Sequence, residues 1–138
     1  MDSMQSLKPL TEEEYENAVI RIQNEQHPST YLCYFSQFAV SLQNLSCGVK
    51  GERRVHYLGY YLAFKLSLKA TELGTAGLSD DGFKLSAVEN GEGGYRTGLR
   101  YAADGRCVVI FEAGEMSSRE KADAMFLYEL EKEAQGYL

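Results

Sequence analysis

The sequence predicts an α+β domain in which helices flank an antiparallel β-meander, and three observations support this fold class. Alternating apolar runs meet at Asp104-Gly105, a dipeptide that favours a two-residue β-hairpin turn. Helix-capping signals occur near both ends of the chain. Apolar residues three and four positions apart follow those signals. We therefore expect two or three N-terminal helices, a meander of three strands (four in an alternative interpretation) and a C-terminal helix.

Length and composition fit one domain. The chain has 138 residues, of which 44% are hydrophobic and 25% are charged. This length is enough to bury a self-sufficient core, and the composition is typical of a globular protein. We expect residues 1–10 to be a flexible lead-in and residues 11–138 to form the domain.

The first helix is predicted to start at Thr11, because Glu14 three residues later completes a capping box. It is expected to end near Gln26, since His27-Pro28 follows and a proline disfavours helical conformation in the residue before it. The residues spaced for its buried side are Tyr15, Ala18, Val19 and Ile22.

A second helix is expected from Ser29, a suitable N-cap, to a stop at Gly48. The segment from Val55 to Leu73 fits two patterns, because its apolar residues alternate and also recur every four positions. We favour a helix, since about 19 residues exceed the usual length of a strand. The alternative interpretation adds a fourth strand to the meander.

The meander is predicted over residues 79–112. A two-residue turn at Asp104-Gly105 fixes the register of the hairpin. The expected cross-strand pairs are Ala103 with Arg106, Tyr101 with Val108 and Leu99 with Ile110. The run 82–89 supplies the third strand, and the last strand, being apolar on both faces, is expected to be central.

The C-terminal helix is predicted from a second capping box, Ser117 with Glu120, to Gly136. Its apolar residues recur every four positions: Ala122, Phe126, Leu130 and Ala134.

Charge and cysteine content restrict the classes of function. The net charge of −6 disfavours general nucleic-acid binding, which needs a basic surface. No apolar run reaches the ~18–20 residues of a membrane span, and no signal peptide is apparent. The widely spaced Cys33, Cys47 and Cys107 predict no metal site, no cofactor and no disulfide framework, and we expect buried, reduced thiols in a cytoplasmic protein.

Two basic groups are the best candidates for a ligand site. Arg96 and Arg100 share one face of a predicted strand, and Arg53 and Arg54 are expected to lie in a basic loop that precedes the next element. Guanidinium groups bind carboxylates and phosphates in a forked geometry. Pairing with surface glutamates is the simpler interpretation. The candidate ligand-binding residues are Arg53, Arg54, His56, Tyr57, Arg96 and Arg100.

No set of residues with the spacing of a catalytic site is present, so we favour a non-enzymatic interaction protein. It would bind and modulate another macromolecule as an inhibitor, immunity protein or adaptor. The alternative is a binder of, or an enzyme acting on, a small phosphate- or carboxylate-bearing ligand. A homo-oligomer is compatible with either function, because a meander leaves strand edges to be covered.

Overall fold

The computed structural model describes residues 8–26, 34–70, 82–103 and 105–138. It has the expected α+β architecture. The helices are α1 (Glu12–Arg21, continued by a π-helical turn at Ile22–Gln26), α2 (Phe35–Gln43), α3 (Glu52–Leu68) and α4 (Arg119–Tyr137). The strands are β1 (Phe83–Glu89), β2 (Tyr95–Ala103) and β3 (Arg106–Glu112), which form one antiparallel sheet in the order β1-β2-β3.

The start of α1 confirms the predicted capping box. The backbone N–H of Thr11 donates to Glu14 Oε1 at 2.8 Å, and the backbone N–H of Glu14 donates to Thr11 Oγ1 at 3.1 Å. These two bonds satisfy helix N–H groups that have no partner within the helix. The π-helical turn ends at Gln26, the expected limit. His27 and Pro28 lie outside the described residues.

The helical interpretation of the ambiguous segment is confirmed by α3. Leu58, Leu62 and Leu66, spaced by four, are fully buried on one side of this helix. Residues 71–73 at the end of the predicted segment lie outside the described residues, as does Ser29, the expected start of the second helix. Within the described residues, that second helix begins at Phe35 and ends at Gln43.

The structure confirms the predicted C-terminal helix, α4, but both of its ends differ from the prediction. Ser118, not Ser117, is the N-cap, and its hydroxyl accepts from the backbone N–H of Lys121 at 3.2 Å. Adjacent serines offer the same capping chemistry, so the sequence could not choose between them. Gly136 does not end the helix, which runs to Tyr137.

The sheet confirms the hairpin register near the turn and departs from it further away. Ala103 pairs with Arg106 and Tyr101 with Val108, as expected. Leu99 pairs with Phe111 and not with Ile110, because the register shifts between Leu99 and Arg100. This β-bulge gives β3 one extra residue, so Ile110 and Phe111 are both buried on the side of the helices.

The expectation that the last strand is central is wrong. The central strand is β2, which pairs with β1 on one side and with β3 on the other. Strand β3 is buried at Ile110 and Phe111 but exposed at Arg106, Cys107 and Val109. The continuous apolar run of β3 therefore does not mean that both of its faces are buried. The bulge places two adjacent apolar residues on the buried face, and the other face is open.

The core lies between the helices and one face of the sheet. Helix α2 contacts β1, α3 contacts β3, and α4 contacts β2 and β1. Aromatic rings join the layers: the Phe38 and Phe83 centroids are 5.5 Å apart, as are those of Phe111 and Phe126. Edge-to-face pairs of this kind add to the free energy gained from apolar burial. The described helices thus pack on one face of the sheet, and the opposite face carries part of the candidate functional site.

Candidate functional site

Strand alternation directs one set of side chains away from the helices. We call this set the outer sheet face, and it consists of Lys84, Ser86, Val88, Arg96, Arg100, Cys107, Val109 and Glu112. Val88 and Val109 are 50% and 38% exposed. Within the described part of the chain, this face is therefore largely uncovered and presents apolar side chains beside charged ones.

Arg96 and Arg100 lie on this face together, as strand parity predicts, and both reach one carboxylate. Arg100 Nη2 donates to Glu112 Oε2 at 2.5 Å, and Arg96 Nη1 lies 3.6 Å from Glu112 Oε1. Arg96 Nε also lies 3.8 Å from a carboxylate oxygen of Glu115, in the loop after β3. The two guanidinium groups are thus bridged by the chain's own Glu112.

The guanidinium of Arg100 is also held against the sheet by backbone acceptors. It donates to the carbonyl oxygens of Ser86 and Arg96 at 3.1 Å each, and to that of Gly98 at 3.4 Å. Its side chain is consequently only 14% exposed, whereas that of Arg96 is 52% exposed. Arg100 is fixed in position, and Arg96 is the more accessible of the two cations.

Gly98, between the two arginines, makes room for the bridging glutamate. A Cβ at this position would lie 2.9 Å from the carbonyl oxygen of Phe111 and 3.0 Å from Glu112 Cβ. The space above Gly98 is therefore filled by the stem of Glu112. The absence of a side chain at Gly98 is what allows this close approach.

The second basic group is organised around a buried carboxylate on α4. Arg54 donates from Nε to Glu131 Oε2 at 2.8 Å and from Nη2 to Glu131 Oε1, a forked arrangement. The hydroxyl of Tyr15 donates to the same Oε2 at 3.1 Å. Glu131 is 6% exposed, so this cluster joins α1, α3 and α4 inside the helical layer, that is, the helices packed on one face of the sheet.

The cluster changes the pKa of two of its members. The hydrogen bond to Glu131 raises the pKa of the Arg54 guanidinium, and the guanidinium stays charged. Burial, and then the negative charge of Glu131, raise the pKa of Tyr15 to about 12. Both groups are therefore held in the protonated forms that donate to Glu131.

The remaining predicted site residues lie on α3. Arg53 is near the surface, with Nη2 3.5 Å from Glu16 Oε2. His56 is half-buried, and its ring meets that of Phe35 edge-on at 5.4 Å. Tyr57 is fully buried and donates its hydroxyl to the backbone carbonyl oxygen of Ala134, so its ring has no surface open to a ligand.

A surface cleft of about 370 Å³ lies beside Arg54 and Glu131, and its lining includes Cys47. Cys47 and Cys107 are both exposed, which corrects the expectation of buried thiols. Cys47 belongs to the turn after α2, and Cys107 lies on the outer sheet face. Partial burial and then Asp123 raise the pKa of the Cys47 thiol, which disfavours the reactive thiolate. Cys33 lies outside the described residues.

The structure does not bring the six predicted residues into one site. Arg53, Arg54, His56 and Tyr57 lie in the helical layer, and Arg96 and Arg100 lie on the opposite side of the sheet. Each of the four arginines has a carboxylate partner from the chain itself. Among the described residues, no three His, Cys, Asp or Glu side chains converge as metal ligands do.

Three acidic residues organise these groups, and the sequence analysis did not single them out. Glu112 bridges the sheet arginines, and Glu131 pairs with Arg54. Asp123 is buried and accepts from Thr97 Oγ1 at 2.6 Å and from the backbone N–H of Ser46 at 2.9 Å. One signal was available for Asp123, which lies on the same helical side as the predicted apolar residues of α4.

Fold and site together define an α+β domain whose sheet is covered by helices on one face and carries a bridged arginine pair on the other. Comparison of the chain with protein-family models, curated proteins and solved structures finds no match. None of the helices in the described part of the chain has both the length and the apolar character needed to cross a lipid bilayer.

Proposed function

We propose that the protein acts by binding another macromolecule, as a non-enzymatic inhibitor, immunity protein or adaptor, and that it does so through the outer sheet face. The observation that carries this proposal is the outer sheet face, which the described elements leave uncovered and where Val88 and Val109 are exposed beside Lys84 and Arg96. Apolar side chains rimmed by charged groups are typical of protein interaction surfaces. The outer strands β1 and β3 each have one strand neighbour in the described sheet, which is a further route to association.

The alternative function, binding of a small anionic ligand, has less support. Each arginine proposed for that site already has a carboxylate partner, so a small anion would have to displace a glutamate from the chain. A macromolecule offers enough contact area to offset that displacement. We also propose a cytoplasmic location, a reducing environment in which the exposed thiols of Cys47 and Cys107 would stay reduced.

Native mass spectrometry of the protein purified gently from its own source tests the proposal. We expect a macromolecular partner to be retained by the native protein and lost in Val88→Asp, which puts a charge on the outer sheet face. Val40→Asp is the matched control, because Val40 is 55% exposed on α2, away from that face. The proposal fails if no macromolecule is retained at any salt concentration, or if both variants retain it equally.

A further inference from the structure

The outer sheet face has a local charge opposite to that of the whole chain. Among the residues that the structure describes, Lys84, Arg96 and Arg100 lie on it against the carboxylate of Glu112, with Glu115 at its margin, while the chain has a net charge of −6. Lys84 and Arg100 are directly opposite each other in the β1–β2 ladder, so their side chains share this face.

Glu112 occupies the position that a ligand carboxylate would take. Its two oxygens face the two arginines, one each, and its side chain remains 21% exposed at the surface. Arg100 is also held by three backbone carbonyl oxygens, in contacts that do not involve Glu112. Arg100 is therefore preorganised, and the anion site between the two arginines is filled from within the chain.

We propose that the outer sheet face binds an extended, acidic segment of a partner protein, and that Glu112 competes with the carboxylates of that segment. This inference rests on the proposed function and specifies the partner's chemistry. An extended segment presents every second side chain on one side, about 7 Å apart. Alternating acidic and apolar residues along it match the cations and the exposed valines of this face.

Charge and geometry favour this partner over two others. A nucleic acid needs many cations along its path to displace counterions, and this face offers three in a chain of net charge −6. A second copy docked face to face on a twofold axis would bring the same cations together. An acidic segment meets only the local positive charge, because the distant carboxylates are screened over about 8 Å at physiological salt.

Fluorescence anisotropy with two labelled peptides tests the inference: one alternates glutamate with valine, and the other alternates lysine with valine. We expect the acidic peptide to bind, with an affinity that falls as salt rises, and the basic peptide not to bind. Glu112→Gln is expected to tighten binding of the acidic peptide about threefold, the scale of one surface ion pair. Lys84→Glu is expected to weaken it.

Glu129→Gln is the matched control for the Glu112 variant. It makes the same change in net charge and removes an ion pair with Lys132 at 3.3 Å, but it lies on α4. Binding of the acidic peptide is expected to be unchanged in this variant. Circular dichroism of each variant checks that the fold is retained.

The inference is overturned if neither peptide binds, if the basic peptide binds as well as the acidic one, or if the Glu112 and Glu129 variants have equal affinity. Preferential binding of a single-stranded oligonucleotide, or self-association that Lys84→Glu abolishes, also overturns it. Retention of a partner in a Val88-dependent manner, with no binding of the acidic peptide, leaves the proposed function standing and removes this inference alone.

Discussion

Glu131 is a buried carboxylate whose charge is balanced by one guanidinium and which also accepts a hydrogen bond from one hydroxyl. Its partners, Arg54 and Tyr15, lie 77 and 116 residues away along the chain. Breaking such a pair costs more than the pair contributes, because the remaining charge is then buried without compensation. Arg54, a candidate for ligand binding from the sequence, therefore has a structural role.

We expect Arg54→Met to lower the free energy of unfolding by about 3 kcal/mol, since it leaves Glu131 buried without its guanidinium. Arg53→Met, the neighbouring control, removes a pair at the surface and is expected to cost about 0.5 kcal/mol. Urea unfolding of both variants measures the difference. Adding Glu131→Met to Arg54→Met is expected to restore about half of the loss or more. Equal costs for the two single variants would contradict this interpretation.

At the scale of single residues, the sequence predicted charge, strand parity and glutamates as the arginines' partners, but not which glutamate each arginine meets. It placed Arg96 and Arg100 on one face correctly, because side-chain direction alternates along any strand. It could not assign Tyr57 to the core, because that position is decided by where α4 packs, and α4 is far away in the chain. Long-range contacts of this kind leave no local pattern.

At the scale of elements, the bulge in β3 is the feature that most changes the site. Ile110 is the extra residue, and after it the strand continues with Phe111 opposite Leu99 and Glu112 opposite Gly98. Without the bulge, Phe111 would follow the alternation of Val109 and point to the outer face. The bulge therefore buries Phe111 and brings Glu112 between the arginines.

We expect Gly98→Ala to lower the free energy of unfolding by about 1–3 kcal/mol, the usual cost of overpacking. The added Cβ would meet a backbone oxygen of Phe111 at 2.9 Å, and β3 would have to move. Gly114→Ala is the control, because a Cβ at Gly114 has no neighbour within 4 Å. Thermal unfolding of both variants tests the expectation, and a Gly98 variant as stable as the control would refute it.

The sequence predicted which helices and strands are present better than where each of them begins and ends. The turn at Asp104-Gly105 and the cap at Thr11 are local signals, and the structure confirms the register and the helix start that they predicted. The bulge has no distinctive residue, since Ile110 and Phe111 fit a regular strand equally well. The order of the strands in the meander was predicted correctly. The expectation that β3 is central was wrong, because apolar residues at a bulge resemble those of a central strand.

At the scale of the whole molecule, three buried tyrosines make the free energy of unfolding vary with pH in the alkaline range. Burial is the largest cause that raises the pKa of Tyr15, Tyr57 and Tyr61 above the ordinary value of 10.0. As pH rises past that value, the unfolded chain loses these protons before the folded one does. The folded state then binds more protons, so its stability is fully present below pH 10 and falls above it.

We expect the free energy of unfolding to fall above about pH 10 by up to about 1.4 kcal/mol per pH unit for each of these tyrosines. Tyr57→Phe removes one titrating group, so the free energy of unfolding of this variant should fall less steeply with pH. The variant is nevertheless expected to be less stable at neutral pH. Urea unfolding between about pH 8 and about pH 11 measures both slopes. Parallel slopes in the two proteins would show that Tyr57 does not contribute.

Helix α4 also has a consequence for how the chain folds. Its Asp123 accepts a hydrogen bond from β2, 26 residues away along the chain. Its Glu131 accepts from α1 and α3, 116 and 77 residues away. Contacts between such distant residues raise the contact order and slow the search for the native state. Until α4 docks, Thr97 and Arg54 lack their acceptors, so we expect the sheet and the N-terminal helices to become stable only in the last step of folding.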